Sequence, residues 1–210
     1  MIFWQEAQQA QLTISVLAHL SILRSNGLSA QPSFVAPAAA GSSIFLISSQ
    51  TVSAQASIVV TSGITSTYNN YMMVFSNVTC SSSTQNLQIQ ISTNGGSSYI
   101  ATGYTSGYLA LNYNSNATSN ANLATGLLIT NQNTSVVSAN GIIYLCNLTS
   151  SSGYITCSGQ INKHNPATPK PSSLSITGSY NTASQTVNAL QVIWSSGTIS
   201  GTVTLFGVLE

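Results

Sequence analysis

An alternation of apolar and polar residues near the C-terminus places the strongest constraint on what this chain can fold into. Two alternating runs between Val187 and Leu209 flank Ser195-Ser196-Gly197, and this pattern predicts a β-hairpin that closes a sheet. Val203 and Leu205 share one face of the second run. Because a shift of one residue would turn that face to water, we expect the last strand to be part of the core.

Similar short apolar runs extend back to Ile44. Candidate strands before the final pair are residues 44–49, 55–60, 71–78, 87–93, 99–104, 124–129, 142–148, 153–160 and 174–177. About ten short strands with no helix among them predict an antiparallel β-sandwich of jelly-roll type. Asn94-Gly95-Gly96 and Asn140-Gly141 predict hairpin turns, since Asn and Gly tolerate the positive φ that tight turns need.

Two stretches without periodicity, residues 105–122 and 162–173, predict long loops, which are often functional. Tyr104, Tyr108 and Tyr113 lie in or beside the first stretch, among Gly, Asn and Ser. Tyrosine in that company is typical of adaptable binding surfaces, so these three residues form a candidate surface-binding loop for a protein or a sugar. The alternative is that their rings cap the ends of the sandwich or pack between subunits.

Residues 3 to about 25 have the period of an α-helix. The apolar seam of this helix consists of Phe3, Ala7, Ala10, Ile14 and Leu17, at spacings of four and three. The following Asn-Gly pair at 26–27 is typical of a helix end. Because a single helix of this length is only marginally stable in water, we expect the seam to pack against sister helices or a docking protein.

The segment that follows the predicted helix is rich in Ala, Ser and Pro. Pro32 and Pro37 favour an extended, semi-rigid spacer. The sequence therefore predicts three parts: a helical anchor at residues 1–27, a linker at 28–43 and a β-sandwich domain at 44–210.

The N-terminal apolar run also admits two membrane-related interpretations. Residues 12–23 include His19 and are too few to span a bilayer, so we expect no membrane insertion. A cleavable signal peptide is an alternative, because Leu28-Ser29-Ala30 resembles a cleavage site. However, the leading segment contains Glu6 and neither Lys nor Arg, whereas a signal peptide begins with positive charge.

Charged side chains are unusually scarce. The only five are Glu6, Arg24, Lys163, Lys170 and Glu210, and the net charge is +1. This excludes electrostatic capture of nucleic acid and disfavours docking on anionic membranes. Since charge is also a common protection of exposed strand edges, we expect oligomerisation to cover the edges.

The residues that enzymes need are almost missing as well. The chain has no Asp, and Glu6 and Glu210 are its only Glu residues. Neither the carboxylate pair of a glycosidase nor a Ser-His-Asp triad can therefore form within one chain. Cys157 and His164 are the one conceivable nucleophile and base, and no orienting motif surrounds them. We predict that the protein is not an enzyme.

Metal binding and disulfide formation have equally little support. His19 and His164 fall in different predicted parts, and Cys80, Cys146 and Cys157 have no C-x-x-C spacing. The sequence therefore predicts no metal site and no cofactor. Buried thiols that act as small apolar residues are preferred over a Cys146–Cys157 disulfide.

Three segments resemble a β module found in structural proteins of tailed bacteriophages. They are Ile64-Thr-Ser-Thr-Tyr68-Asn-Asn-Tyr71-Met-Met-Val-Phe-Ser-Asn-Val, Leu87-Gln-Ile-Gln-Ile-Ser-Thr-Asn-Gly-Gly-Ser-Ser-Tyr and Ile199-Ser-Gly-Thr-Val-Thr-Leu-Phe-Gly-Val. The resemblance covers residues 55–209 and implies the C-terminal domain of a fibre, spike or decoration protein. It implies a homotrimer whose N-terminal segment fastens to the particle. The loops of this family usually carry charge, whereas this chain is almost free of it. This difference favours tight packing between subunits over a polar contact with a receptor.

These observations predict a trimeric fibre-type virion protein on the tail or head surface. Its N-terminal segment would bind other virion proteins, and its β domain would face a host-surface glycan or protein. One alternative is a head decoration protein that stabilises the capsid. The other is a secreted adhesive or carbohydrate-binding module, released by signal cleavage.

Overall fold

The computed structural model describes residues 22–24, 33–35, 43–112, 115–119, 125–131, 138–164 and 171–209. All regular elements in these ranges are β-strands, and their pairings are antiparallel. The predicted mainly-β class is therefore confirmed. Within the same ranges, no helix has the length and apolarity of a membrane span. The chain divides into two compact units, residues 1–42 and 43–210.

The first unit contains two short strands, β1 (Ile22–Arg24) and β2 (Ser33–Val35), which pair with each other. The prediction was wrong for residues 22–24, which form a strand and not the last turn of a helix. Residues 33–35, within the predicted extended linker, pair with this strand. Helical periodicity could not reveal this, because strand pairing depends on a partner about ten residues away. The rest of the predicted helix lies outside the described residues, including Phe3, Ala7, Ala10, Ile14 and Leu17.

The second unit is built from the remaining strands. They are β3 (Ile44–Gln55), β4 (Ser57–Val60), β5 (Asn70–Cys80), β6 (Asn86–Ser92), β7 (Tyr104–Asn112), β8 (Ser115–Ser119), β9 (Leu127–Asn131), β10 (Ser138–Cys146), β11 (Thr156–His164), β12 (Pro171–Tyr180), β13 (Ala189–Trp194) and β14 (Ile199–Val208).

These strands form two sheets. The large sheet has the order β3-β14-β5-β10-β11-β12-β7-β8, and the small sheet has the order β4-β13-β6-β9. Both sheets contribute to one hydrophobic core. Tyr71, Met73 and Phe75 of β5 and Leu87 and Ile89 of β6 are among the fully buried side chains. The arrangement is therefore that of a β-sandwich.

The C-terminal run forms two strands, as predicted, but not a hairpin. β13 pairs with β4 and β6 in the small sheet, whereas β14 pairs with β3 and β5 in the large sheet. Residues 195–198 cross from one sheet to the other. The connection is held by neighbouring loops, since Ser195 N–H donates to the Asn86 carbonyl (2.9 Å) and Thr198 N–H donates to Ser81 Oγ (2.9 Å). Val203 and Leu205 are buried, which confirms that β14 belongs to the core.

Both predicted Asn-Gly hairpins need correction. A turn does form at Asn94, whose carbonyl accepts from Ser97 N–H (3.4 Å), but residues 99–103 are not a strand, and β6 pairs with β13 and β9 instead. Gly141 lies inside β10 with φ +155°, where the register against β5 shifts between Ala139 and Gly141. It is a bulge, which also accepts unusual φ values.

Both predicted loops contain strand residues. Residues 105–122 contain most of β7 and all of β8, which pair as a hairpin. Residues 162–164 end β11, and residues 171–173 begin β12. Asn and Ser are the commonest residues of these segments, so their sequence lacks the strong alternation that identifies a strand. Their pairing within a wide sheet supplies the order that local propensity does not.

Candidate binding face of the large sheet

The outer face of the large sheet is the most distinctive surface among the described residues. Cross-strand register places one row of side chains across seven strands, namely Leu46, Phe206, Met72, Tyr144, Ser158, Thr177 and Gly107. The row begins with large apolar residues and ends with small ones. The face therefore has an apolar half over β3, β14 and β5 and a polar half over β11 and β12, with β10 at the boundary, while Leu109 and Leu111 are exposed apolar residues on β7.

The apolar half is exposed chiefly on β3. Leu46 retains 64 % of its accessible surface, and Ile44 is also exposed. We define the apolar half as Ile44, Leu46, Met72, Val74, Phe206 and Val208. Within the apolar half, Met72, Val74, Phe206 and Val208 are partly buried. Beside it, hydroxyl groups pair across strands, with 2.9 Å between Ser49 Oγ and Thr204 Oγ1 and 2.8 Å between Thr51 Oγ1 and Thr202 Oγ1.

A groove of about 580 Å³ lies where β10 meets the polar half. The side chains that line it are Ile142, Tyr144, Ser158, Gln160, Asn162 and Ser175. Tyr144 is 45 % exposed, so much of its ring is available to a ligand. Register places Ile142 opposite Gln160, and Tyr144 opposite Ser158. The groove therefore has an apolar wall on β10 and a polar base on β11 and β12.

Two glycines beside this groove allow the backbones of β10 and β11 to approach each other closely. A Cβ atom on Gly159 would overlap the Ile142 carbonyl oxygen and lie 2.8 Å from Ile143 Cα, and a Cβ atom on Gly141 would overlap the Gln160 carbonyl oxygen. Both glycines line the groove. A glycine inside a strand often marks a bulge or a place where another group approaches the backbone closely.

The groove amides are free of side-chain hydrogen bonds within the described residues. In contrast, Gln50 Nε2 donates to the Val59 carbonyl (2.7 Å), and Gln90 Nε2 donates to the Thr125 carbonyl (2.9 Å). No comparable contact engages the side chain of Gln160 or Asn162. Each amide offers two donor hydrogens and an acceptor oxygen, and all of these face the groove or solvent.

The groove is also free of charge. None of its lining residues is ionisable except Tyr144. Lys163, the next residue after Asn162, alternates to the opposite side of β11 and is partly buried, and burial lowers the pKa of its ammonium group. His164 is exposed at the end of β11. The described part of the chain contains no carboxylate side chain.

Two of the three predicted surface tyrosines are core residues. Tyr104 and Tyr108 lie on β7 and are 2 % and 8 % exposed, so the prediction that they lie on an exposed loop was wrong. The Tyr104 hydroxyl accepts from Ile91 N–H (3.1 Å) and donates to the Ile100 carbonyl (2.9 Å). Burial raises the pKa of Tyr104 to about 12. Tyr113 lies outside the described residues.

The structure separates the one conceivable nucleophile and base. Cys157 and His164 lie at opposite ends of β11, about 23 Å apart along an extended strand. Cys157 is buried, whereas His164 is exposed. Burial raises the pKa of the Cys157 thiol to about 12, with a smaller contribution from Cys146. A neutral, buried thiol is a poor nucleophile, so this pair cannot act as a catalytic dyad.

Cys80, Cys146 and Cys157 are free thiols, of which Cys80 and Cys157 are buried. Among the described residues, no three His, Cys, Asp or Glu side chains are close enough together to hold a metal ion.

Sequence reasoning missed the groove because both faces of β10 are apolar. In the run Ile142-Ile143-Tyr144-Leu145, Ile143 and Leu145 are buried, while Ile142 and Tyr144 are exposed. Period-two alternation assigns alternate residues to opposite faces, but it cannot say which apolar face is covered. Only the position of the small sheet decides this.

Comparison with known proteins found no matching family model, no matching curated protein and no matching solved structure. The resemblance to bacteriophage β modules therefore stays a prediction from the sequence pattern.

Proposed function

We propose that this chain is a non-catalytic structural component of a bacteriophage virion, of the trimeric fibre type. Its N-terminal segment binds other virion proteins, and its β domain faces the host surface. The support comes from three features: the strand order, the scarcity of side chains that could act as acids, bases or nucleophiles, and the apolar half of the large sheet.

The strand order is the observation that supports the proposal most. β3-β14-β5-β10 lie side by side in the large sheet, and β4-β13-β6-β9 form the small sheet. If β7, β8, β11 and β12 are treated as insertions, the eight remaining strands have the two-sheet order of a jelly roll. Jelly rolls are typical of viral capsid proteins and lectins, two classes that act by assembly or binding.

The composition supports a role without catalysis. The whole chain has two Glu, no Asp and two His, so the groups that usually transfer protons in enzymes are nearly absent. The Cys157 thiol is buried and distant from His164. A chain of this kind can hold a shape and contact neighbours, but it has few means of driving a reaction.

The apolar half suits contact between subunits. It places six large apolar side chains on one face, of which Ile44 and Leu46 are exposed, and the centres of subunit interfaces are similarly apolar. Hydroxyl pairs such as Thr51 with Thr202 border it, as in the polar rim of many interfaces. Because no charged side chain lies among these residues, copies of the chain meet there without like-charge repulsion.

The test is to locate the chain in particles. Purified phage particles from a host that expresses the chain should contain it by mass spectrometry, and immunogold labelling should place it on a tail or head projection. Its absence from purified particles would overturn the proposal. Particles that lack the chain should adsorb poorly to cells. Normal adsorption combined with heads that burst at lower temperature would support the decoration role instead.

A further inference from the structure

We propose that the groove between β10, β11 and β12 binds a neutral oligosaccharide, which stacks against Tyr144 and hydrogen-bonds to Gln160 and Asn162. This inference deepens the host-facing role proposed above and rests on it for its biological setting. The chemistry of the groove is an independent observation, so each can fail without the other.

The groove has the size of a ligand site. Its volume of about 580 Å³ lies within the range of about 300–1,000 Å³ for small-molecule sites. It is an open trough on a sheet surface, which suits a chain molecule that lies across strands. A smaller hollow of about 290 Å³ follows over β12 and β7, lined in part by Thr105, Gly107, Thr177 and Ser179. The two hollows together give room for more than one sugar unit.

The absence of charge selects a neutral ligand. A phosphate or carboxylate ligand requires Lys, Arg or a cluster of N–H donors, and the groove residues supply neither a cation nor a helix N-terminus. Sugar hydroxyls both donate and accept hydrogen bonds. Gln160 and Asn162 also offer donors and acceptors, as do the hydroxyls of Ser158 and Ser175. The groove can therefore recognise a saccharide through hydrogen bonds between neutral groups.

The asymmetry of the groove matches the asymmetry of a sugar ring. A pyranose presents weakly polar C–H groups on its faces and hydroxyls around its edge. The ring of Tyr144 can receive the C–H groups through weak contacts with its π-system, while its neighbours on β11 receive the hydroxyls. Tyr144 and Gln160 are diagonal neighbours across the strand pair, about 7–8 Å apart, which one sugar ring can bridge.

A glycine leaves the neighbouring hollow sterically open. Gly107 lines that hollow, and a Cβ atom there would meet nothing within 4 Å. A ligand can therefore lie close to the sheet at this position.

The experiment is titration calorimetry on the full chain with three probes. Maltohexaose and hexa-N-acetylchitohexaose are neutral hexasaccharides, and a heparin hexasaccharide is the acidic counterpart. We expect at least one neutral probe to bind and the acidic probe not to bind. Tyr144→Ala should weaken binding about tenfold. Gln160→Ala should weaken it about threefold to tenfold.

The control is Tyr154→Ala, which removes an equally large exposed aromatic ring that does not line the groove. Circular dichroism spectra and melting temperatures check that all variants fold, and Gln160→Ala changes only an exposed side chain. The proposal is overturned if no neutral probe binds, or if Tyr154→Ala weakens binding as much as Tyr144→Ala. A chain that binds a neutral probe but is missing from particles would keep the groove and overturn only the virion role.

Discussion

At the scale of single residues, the buried tyrosines act as internal clamps on the backbone. The Tyr71 hydroxyl accepts from Thr65 N–H (2.9 Å) and donates to the Thr65 carbonyl (2.7 Å). The Tyr104 hydroxyl accepts from Ile91 N–H and donates to the Ile100 carbonyl. Its ring packs against Tyr180, with 5.1 Å between ring centroids. Each ring fills core volume while its hydroxyl satisfies backbone groups that burial would otherwise leave unpaired.

Tyr104→Phe tests this clamp directly. The substitution keeps the ring but removes both hydrogen bonds, so Ile91 N–H loses a buried partner. We expect the free energy of unfolding to fall by about 1–3 kcal/mol, measured by urea denaturation. Tyr154→Phe, which changes an exposed hydroxyl, should leave it nearly unchanged. Equal stability of Tyr104→Phe and the parent chain would contradict the role of the clamp.

The raised pKa values of Cys157 and Tyr104 predict lower stability in alkali. From about pH 9 to about pH 12 for Cys157, and from about pH 10 to about pH 12 for Tyr104, the unfolded chain loses protons that the native chain retains. The free energy of unfolding therefore falls as pH rises, by up to about 1.4 kcal/mol per pH unit for each group.

Urea denaturation under reducing conditions at pH 8 and pH 11 measures this decline. Cys157→Ala removes one of the groups with a raised pKa, so the stability of the variant should fall less between the two pH values. An identical decline in the parent chain and in the variant would show that Cys157 does not contribute.

At the scale of elements, the close approach of β10 and β11 depends on glycine. Gly159 faces Ile143 across the strand pair, and Gly141 faces Ile161. A Cβ atom at either position would meet backbone atoms of the neighbouring strand. Backbone cannot move aside as a flexible side chain can, so these two glycines are required by the register of the sheet.

Gly159→Ala and Gly107→Ala form a matched pair that tests this requirement. Gly159→Ala should lower the free energy of unfolding by about 3 kcal/mol, because β10 and β11 must separate. Gly107→Ala on β7 adds a methyl group to open space and should raise it by about 0.5 kcal/mol. Thermal and urea unfolding give both values. Similar effects at the two positions would disprove the steric explanation.

At the scale of the whole molecule, the large sheet exposes apolar side chains to water, and this exposure is energetically unfavourable. Its apolar half includes Leu46 and Ile44 on β3, which is an edge strand of the large sheet. A long edge strand without charge favours association with another chain. Residues 44–55 contain no charged side chain, so self-association through this region meets no electrostatic barrier.

Leu46→Lys should shift the chain from oligomer to monomer, because burying an unpaired ammonium group at a subunit contact is costly. Val59→Lys is the control, since Val59 is exposed on the small sheet and should leave the oligomer intact. Light scattering after size-exclusion chromatography measures the mass of each variant. A parent chain that is monomeric, or an equal response of both variants, would rule out this interface.

The sequence by itself determined the mainly-β class and the chemical character of the protein. Alternation such as that of Val203 and Leu205 specifies a strand and its buried face, because successive side chains point to opposite sides. The scarcity of charge is likewise a property of composition. It limits ionic binding and catalysis in any fold that the chain adopts.

Only the tertiary structure decided which strands pair and which surfaces stay open. The run from Val187 to Leu209 contains no information that sends β13 and β14 to different sheets, because their partners lie far away in the sequence. The same holds for Tyr104, which became a core clamp, and for Tyr144, which became the wall of a groove. Both tyrosines lie on strands of the large sheet. Their different exposure depends on which side of that sheet the small sheet covers.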